Sequence, residues 1–134
     1  LIWVLDDLSC HAPPDEWARI VVTAAIRWRA DAILAEVNQG GDLVRSLLAH
    51  QPGCVPIRTA RALKDKRSRA LPVAAAYARS EVAHAAPLTA LVDQMVTFVP
   101  GLPGMGSPDR LDALVWAVSG LLSGLNTTTT EFQL

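Results

Sequence analysis

The alternation of short apolar runs with helical periodicities most constrains how this chain can fold. The run "DAILAEV" (31–37) fits a strand buried on both faces, because it is apolar over most of its length. Residues 12–30 begin with prolines and acids and then carry apolar residues at spacings of three and four, which predicts a helix. The turn "NQGG" (38–41) leads into a second such helix. This alternation predicts an α/β layered domain with a partly parallel sheet.

The rest of the chain continues the alternation, and the predicted order is strand, helix, strand, helix, strand, helix, strand, helix, helix. The further segments are a helix with Leu43, Val44, Leu47 and Leu48, a strand at 53–60, a helix at 65–80 bent at Pro72, an edge strand at 81–85, a helix at 87–99 and a last helix after a Gly- and Pro-rich loop at 100–108. Residues 2–8 are the opening strand. We divide the chain into a domain at 1–124 and a polar, frayed tail at 125–134.

Length, charge and cysteine content limit the class of protein. With 134 residues and a formal net charge of −1, the chain is long enough for one core and is not strongly basic. No apolar run is long enough to span a membrane, and the N-terminus lacks the pattern of a signal peptide. Cys10 and Cys54 lie far apart without a CxxC motif, which favours a reducing cytoplasm over a disulfide scaffold or zinc site. The four tryptophans have core-like spacings and are predicted to pack inside: Trp3, Trp17, Trp28 and Trp116.

Glu36 is a carboxylate at or near the carboxyl end of the apolar run 31–37. Burying an unpaired carboxylate costs several kcal/mol, so Glu36 requires a partner, a metal ion or access to water. In open α/β sheets, ligand sites form at the carboxyl ends of strands. A Glu that simply reaches solvent or pairs with an arginine remains the alternative.

Asp109 and Asp112 lie at the start of the last helix, and the ten residues after Asp112 carry no charge. Ser107 as N-cap and Pro108 as the first helical residue account for Asp109 as a helix-start acid, but Asp112 lies a turn further in. A helix without charge on either face is covered on both sides. The two acids therefore form a confined negative patch that suits hard divalent cations, and two such ions can promote phosphodiester cleavage.

The only dense basic cluster precedes and opens the helix at 65–80, and its members are Lys64, Lys66, Arg67 and Arg69. Cations in such a cluster can contact DNA phosphates without reading sequence. The alternative is a solvated helix start with Asp65 interleaved. The three histidines are not spaced as a set of metal ligands.

Four segments together resemble the nuclease domain of tailed-phage large terminases and of related gene-transfer-agent packaging terminases. They are "ILAEVNQGGDLVRSLL", "KDKRSRALPVAAAYARSEVAHA", "LVDQMVTFVPG" and "SPDRLDALVWA", in the same order and spacing, and the resemblance runs from Leu1 to about Leu122. It implies an RNase H-like, resolvase-like three-layer fold, with a central mixed sheet flanked by helices. It also implies an endonuclease that cuts double-stranded concatemeric DNA with two Mg²⁺ or Mn²⁺ ions. A Holliday-junction resolvase fits less well, because terminase-like segments occupy the whole length.

By this resemblance Glu36 is the second acid of the site, and Asp109 and Asp112 belong to the last acidic motif, with either as the ligand. Lys64, Lys66, Arg67 and Arg69 would contact DNA. The implied partners are double-stranded DNA, the portal protein and the small terminase subunit, and the implied location is the cytoplasm of the bacterial host, at the procapsid. No membrane is involved.

The departures from the family pattern matter as much as the match. The family's first catalytic aspartate lies on a strand upstream of the one that "LIWVLDDLS" resembles, and neither Asp6 nor Asp7 takes its place. We therefore expect that the first strand is missing and that upstream sequence has been lost. No GxxxxGK[ST] motif of the packaging ATPase occurs. The alternative to the endonuclease is a non-catalytic DNA- or portal-binding fragment that retains the fold.

Overall fold

The computed structural model describes residues 1–37, 41–99, 101–103, 106–124 and 131–134, and its elements follow the predicted order. The elements are β1 (Ile2–Val4), α1 (Pro14–Arg27), β2 (Ile33–Glu36), α2 (Asp42–Ala49), β3 (Ile57–Arg61), α3 (Lys66–Ala78), β4 (Val82–His84), α4 (Thr89–Thr97), α5 (Asp109–Leu122) and β5 (Glu131–Gln133). The predicted α/β class is confirmed. None of the helices in the described segments has the length and apolar composition needed to cross a bilayer.

The chain forms two compact units. The first contains Leu1–Ser9 and Lys64–Gly124, and the second contains Cys10–Leu63 and Leu125–Leu134. In the first unit β1 and β4 pair in parallel, with Ile2 opposite Val82 and Val4 opposite His84. Helices α3, α4 and α5 complete this unit with a shared apolar core: Val73, Ala76, Val82, Leu91, Leu114, Val115 and Val118.

The second unit is a parallel three-stranded sheet with two helices. The strand order is β2, β3, β5, with Ile33 opposite Ile57 and Glu36 opposite Ala60. Helices α1 and α2 supply Ala18, Val22 and Leu48 to its core. Ile33, Leu34 and Ala35 of β2 are only partly buried and Glu36 is exposed, so the prediction of a strand buried on both faces is wrong for β2.

Strand β5 corrects the prediction of a frayed tail at 125–134. Residues 131–133 pair in parallel with β3, with Thr59 opposite Glu131 and Arg61 opposite Gln133. The N–H of Leu63 donates to the carbonyl oxygen of Leu134 at 2.6 Å, which extends the ladder. Backbone hydrogen bonds form regardless of side-chain polarity, so a polar sequence can still complete a sheet at its edge.

The sheets also differ in detail from the predicted single mixed sheet. All strand pairings in the described residues are parallel, and they fall into two small sheets. Strand β1 is shorter than predicted, because it ends at Val4 and not at Leu8.

The prediction that all four tryptophans pack inside is confirmed for Trp116, which is 4 % exposed, but is wrong for Trp3 and Trp28. Trp3 is the middle residue of β1, and its side chain alternates to the face opposite its inward neighbours Ile2 and Val4. Trp28 follows the end of α1, where the helical periodicity that predicted its burial no longer applies.

Candidate functional site

Helix α5 is buried over most of its circumference beyond its first turn. Leu114 and Val118 lie in the core of the first unit. On other faces of the helix, Trp116, Ser119 and Gly120 are buried as well. The prediction that this helix is covered on both sides is confirmed at these positions, but a stripe formed by Ala113, Ala117 and Leu121 is exposed. Burial therefore accounts for the lack of charge on the covered faces of α5 but not along this exposed stripe.

The start of α5 is capped from another helix. The side-chain oxygen Oε1 of Gln94, in α4, accepts hydrogen bonds from the N–H groups of Arg110 at 3.0 Å and Leu111 at 3.1 Å. These are two of the donors that a helix start leaves without an intrahelical partner. The prediction of Ser107 as N-cap is wrong: Pro108 occupies that position and gives no side-chain cap, and Gln94 performs the task instead.

Asp112 is paired with a lysine. Nζ of Lys66 lies 2.5 Å from Oδ2 of Asp112 and donates to Oγ of Ser107 at 3.1 Å. The side chain of Asp112 is 16 % exposed and that of Lys66 is 43 % exposed. The pair neutralises a carboxylate that has lost most of its contact with water, as partly buried charges require.

Lys66 reaches this position from the first turn of α3, where the helix dipole disfavours a cation. The helix is nevertheless well capped, because Asp65 accepts hydrogen bonds from the N–H of Ser68 at 3.0 Å and from its Oγ at 2.8 Å. The backbone N–H of Ser68, followed by its hydroxyl, holds the pKa of the Asp65 carboxyl below its ordinary value.

Asp109 has a different environment from Asp112. Asp109 is exposed, and its backbone N–H donates to the carbonyl oxygen of Ser107 at 3.0 Å. Its carboxylate forms no ion pair within the described part of the chain. The two acids of the predicted motif therefore divide into a solvated carboxylate and a shielded, paired one.

Asp7 makes a second ion pair with the start of α5. Its Oδ2 accepts a hydrogen bond from Nη1 of Arg110 at 2.7 Å, and its side chain is 10 % exposed. Its Oδ1 accepts from the N–H and the hydroxyl of Ser9. Partial burial raises the pKa of Asp7, but the hydrogen bonds from Ser9 and the Arg110 guanidinium outweigh it, so the pKa lies below its ordinary value. Asp7 thus anchors the helix that carries the acids.

Glu36 lies at the carboxyl end of β2 in the second unit and is exposed. The position predicted for it, at the end of an apolar strand, is confirmed, and its exposure removes the cost of burying its charge. The residues of the following "NQGG" turn at 38–40 lie outside the described residues. Asp109 and Asp112 belong to the first unit.

The four predicted DNA-contact residues occupy different environments. Lys64, Lys66 and Arg67 are exposed, whereas Arg69 is 5 % exposed. The Arg69 guanidinium lies over the Trp116 ring at 4.8 Å from its centroid. The structure therefore places the first three on the surface and Arg69 in the interior.

An open cavity of about 380 Å³ lies beside the starts of α3 and α5. Lys66 and Arg67 line it on one side, and Ser107 and Pro108 line it on another. Phe98 and Leu102 add an apolar part. The cavity thus brings exposed cations next to the turn that carries Asp109 and Asp112.

The carboxylates of Asp109 and Asp112 provide the hard oxygen donors that Mg²⁺ and Mn²⁺ prefer. The Lys66 ammonium shows that a positive group is accommodated against Asp112. In donor chemistry this turn fits a hard divalent cation. Within the described residues, no group of three or more His, Cys, Asp or Glu side chains is placed to hold a metal ion. The assignment of Glu36, Asp109 and Asp112 as metal ligands stays a prediction.

Fold and site together define an α/β domain in which an acid-bearing helix start lies beside a basic one. The chain belongs to the terminase RNaseH-like domain family, whose model matches residues 5–121. The family predicted from the sequence segments is therefore confirmed, and with it a terminase nuclease-type domain. No curated protein and no solved structure shows significant similarity to the chain.

Three residues contribute to this site in roles that the sequence does not predict. Gln94 and Asp7 contact the start of α5. Lys66, which is predicted to contact DNA, pairs with Asp112. Lys66 lies 46 positions from Asp112 in the sequence. Gln94 lies 16 positions from Arg110, and Asp7 lies 103 positions from it, so no local pattern connects them.

Replacing the Gln94 cap tests whether it fixes the start of α5. Gln94→Leu removes the acceptor and leaves two N–H groups unpaired, so we expect a loss of about 1–2 kcal/mol in the free energy of unfolding. Gln94→Glu keeps an acceptor near a helix N-terminus and should retain most of that stability. Urea unfolding of both variants measures the difference, and equal losses would contradict the role.

The Asp7–Arg110 pair predicts a specific pH dependence. Because the folded-state pKa of Asp7 is lowered, its contribution is present above the ordinary value of 3.8 and is lost as pH falls through the folded-state pKa. We expect Asp7→Asn to reduce the free energy of unfolding by about 1–2 kcal/mol at neutral pH. The difference in the free energy of unfolding between this variant and the unaltered protein, the stability gap, should disappear as pH falls below 3.8.

Urea unfolding over a pH series measures that gap, with Asp93→Asn as the control, since Asp93 is an exposed acid on α4 of the same unit. A gap that is constant with pH would show that the carboxylate charge of Asp7 contributes nothing.

Proposed function

We propose that this domain is the metal-dependent endonuclease of a viral DNA-packaging terminase large subunit, which cuts double-stranded concatemeric DNA during packaging. The observation that carries the proposal is the family match over residues 5–121, which includes the acid-bearing start of α5. The carboxylates of Asp109 and Asp112 in the first turn of α5 support it, because they are hard oxygen donors of the kind that bind Mg²⁺ and Mn²⁺.

In this proposal Glu36, Asp109 and Asp112 hold Mg²⁺ or Mn²⁺. When bound, such ions supply Lewis-acid stabilisation of negative charge and lower the pKa of water. The contribution of Asp112 is a carboxylate of low exposure at a fixed position. Its fixed position follows from two contacts on the helix that carries it: the Gln94 cap and the Asp7–Arg110 pair. A catalytic group is effective only when its supporting contacts hold it in place.

DNA would lie across the basic start of α3. Lys64 and Arg67 are exposed there, and Arg67 lines the cavity beside the start of α5. Contacts from these cations to phosphates would position a duplex without reading its sequence. We also propose, from the family, that the portal protein and the small terminase subunit are partners, in the bacterial host at the procapsid.

The endonuclease predicts that cleavage depends on Asp112. In Mn²⁺, the chain should nick supercoiled plasmid, and Asp112→Asn should slow nicking at least about 100-fold, because it removes the charge of a proposed ligand. Asp93→Asn, at an exposed acid of the same unit, should nick like the unaltered chain. Equal nicking by the unaltered chain and Asp112→Asn would remove Asp112 from the mechanism. Binding of duplex without any nicking would favour the non-catalytic DNA-binding domain.

The DNA-contact proposal predicts a change in salt dependence. Replacing Lys64 and Arg67 together by Gln should weaken duplex binding about 10-fold and reduce the slope of log affinity against log salt by roughly 2. Fluorescence anisotropy with a labelled duplex in EDTA measures both quantities without cleavage. Arg45→Gln removes an exposed cation of α2 and should leave the slope unchanged. A double variant that matches Arg45→Gln would place the DNA elsewhere.

A further inference from the structure

Lys66 is held by two oxygen atoms at the start of α5. Its ammonium lies 2.5 Å from Oδ2 of Asp112 and 3.1 Å from Oγ of Ser107. These are a carboxylate and a hydroxyl, which are also the oxygen types that bind hard divalent cations. The lysine therefore occupies the oxygen-lined position that a metal ion at Asp112 would need.

The position of Lys66 is unfavourable for its own helix. It is the first residue of α3, where the dipole favours anions and disfavours cations. Asp112, by contrast, has a side chain that is only 16 % exposed and requires a positive partner. The pairing thus serves the acid of α5 and not the stability of α3.

We infer that Lys66 is the built-in counterion of Asp112, and that a divalent cation binds at Asp112 only by displacing the lysine ammonium. The inference rests on the proposed metal-dependent function and deepens it. Two cations close to one shielded carboxylate repel each other strongly, because solvent screening is reduced where exposure is low. Lysine pairing and metal binding are therefore mutually exclusive at Oδ2.

Displacement is sterically simple for this side chain. The Lys66 side chain is 43 % exposed and lines the open cavity beside the two helix starts. A lysine has a flexible four-carbon stem with a compact charge, so its ammonium can turn into water without moving α3. Once released, it joins Lys64 and Arg67 on the exposed basic surface. Metal binding would thereby add one cation to the surface proposed for DNA phosphates.

Metal affinity tests the inference directly. Lys66→Met removes the competing charge and keeps a side chain of similar length, so Mn²⁺ should bind about 10-fold more tightly by calorimetry. Lys64→Met removes a neighbouring cation that forms no ion pair within the described residues, and should change affinity about twofold or less. If Lys66→Met binds Mn²⁺ no more tightly than Lys64→Met, the inference is overturned while the metal-dependent function stands. If neither variant nor the unaltered protein binds Mn²⁺, the proposed metal dependence itself fails and the inference fails with it.

A second measurement uses the unaltered chain and does not depend on the folding of any variant. Acetylation of lysines by a limiting reagent, followed by peptide mass spectrometry, compares Lys66 with Lys64 in the presence and absence of Mg²⁺. Lys66 should become several-fold more reactive when saturating Mg²⁺ is added, because its ammonium leaves the carboxylate, while Lys64 should not change. An unchanged ratio of the two reactivities in saturating Mg²⁺ would overturn the inference.

Discussion

The burial of most of the surface of α5 is the constraint on which the rest of this site depends. Val118 is 1 % exposed in the apolar core, and Trp116 and Ser119 are buried on other faces of the same helix. The covered faces of such a helix cannot carry ionised side chains, because each would lose its hydration without gaining a partner. The charged side chains of α5 all lie in its first turn: Asp109, Arg110 and Asp112.

The start of α5 has N–H groups without intrahelical partners and charged side chains of low exposure, and three different elements provide partners for them. Gln94 from α4 accepts from the N–H groups of Arg110 and Leu111. Asp7, which follows β1, pairs with the Arg110 guanidinium, and Lys66 from α3 pairs with Asp112. Each contact satisfies a different group: backbone donors, a cation and an anion. Together they fix the position of the carboxylates more firmly than the helix could alone.

The difference between α5 itself and its contacts with distant elements also explains which features could be predicted from the sequence. The order of helices and strands, the two covered faces of α5 that carry Leu114 and Trp116, and the strand-end position of Glu36 follow from local periodicity, and the structure confirms them. The partners of α5 do not follow from local periodicity, because hydrogen bonds between distant residues leave no periodic pattern in the sequence.

Two of the predictions made from the sequence are wrong for the same physical reason. Strand β5 forms because its backbone pairs with β3, a condition that its polar side chains do not reveal. Ser107 has the composition of an N-cap, but with Gln94 in place the cap was already supplied, and Ser107 accepts a hydrogen bond from Lys66 instead.

The basic start of α3 shows how one turn of helix can give its cations different roles. Successive positions are rotated by about 100°, so Lys66, Arg67 and Arg69 point in different directions from a single turn. Lys66 meets Asp112, Arg67 lines the open cavity, and Arg69 stacks on the buried ring of Trp116. The dipole cost of placing cations here is offset by Asp65, whose carboxylate caps the helix through Ser68. The cap thus stabilises α3 without using Lys66, whose ammonium is left to balance the shielded carboxylate of α5.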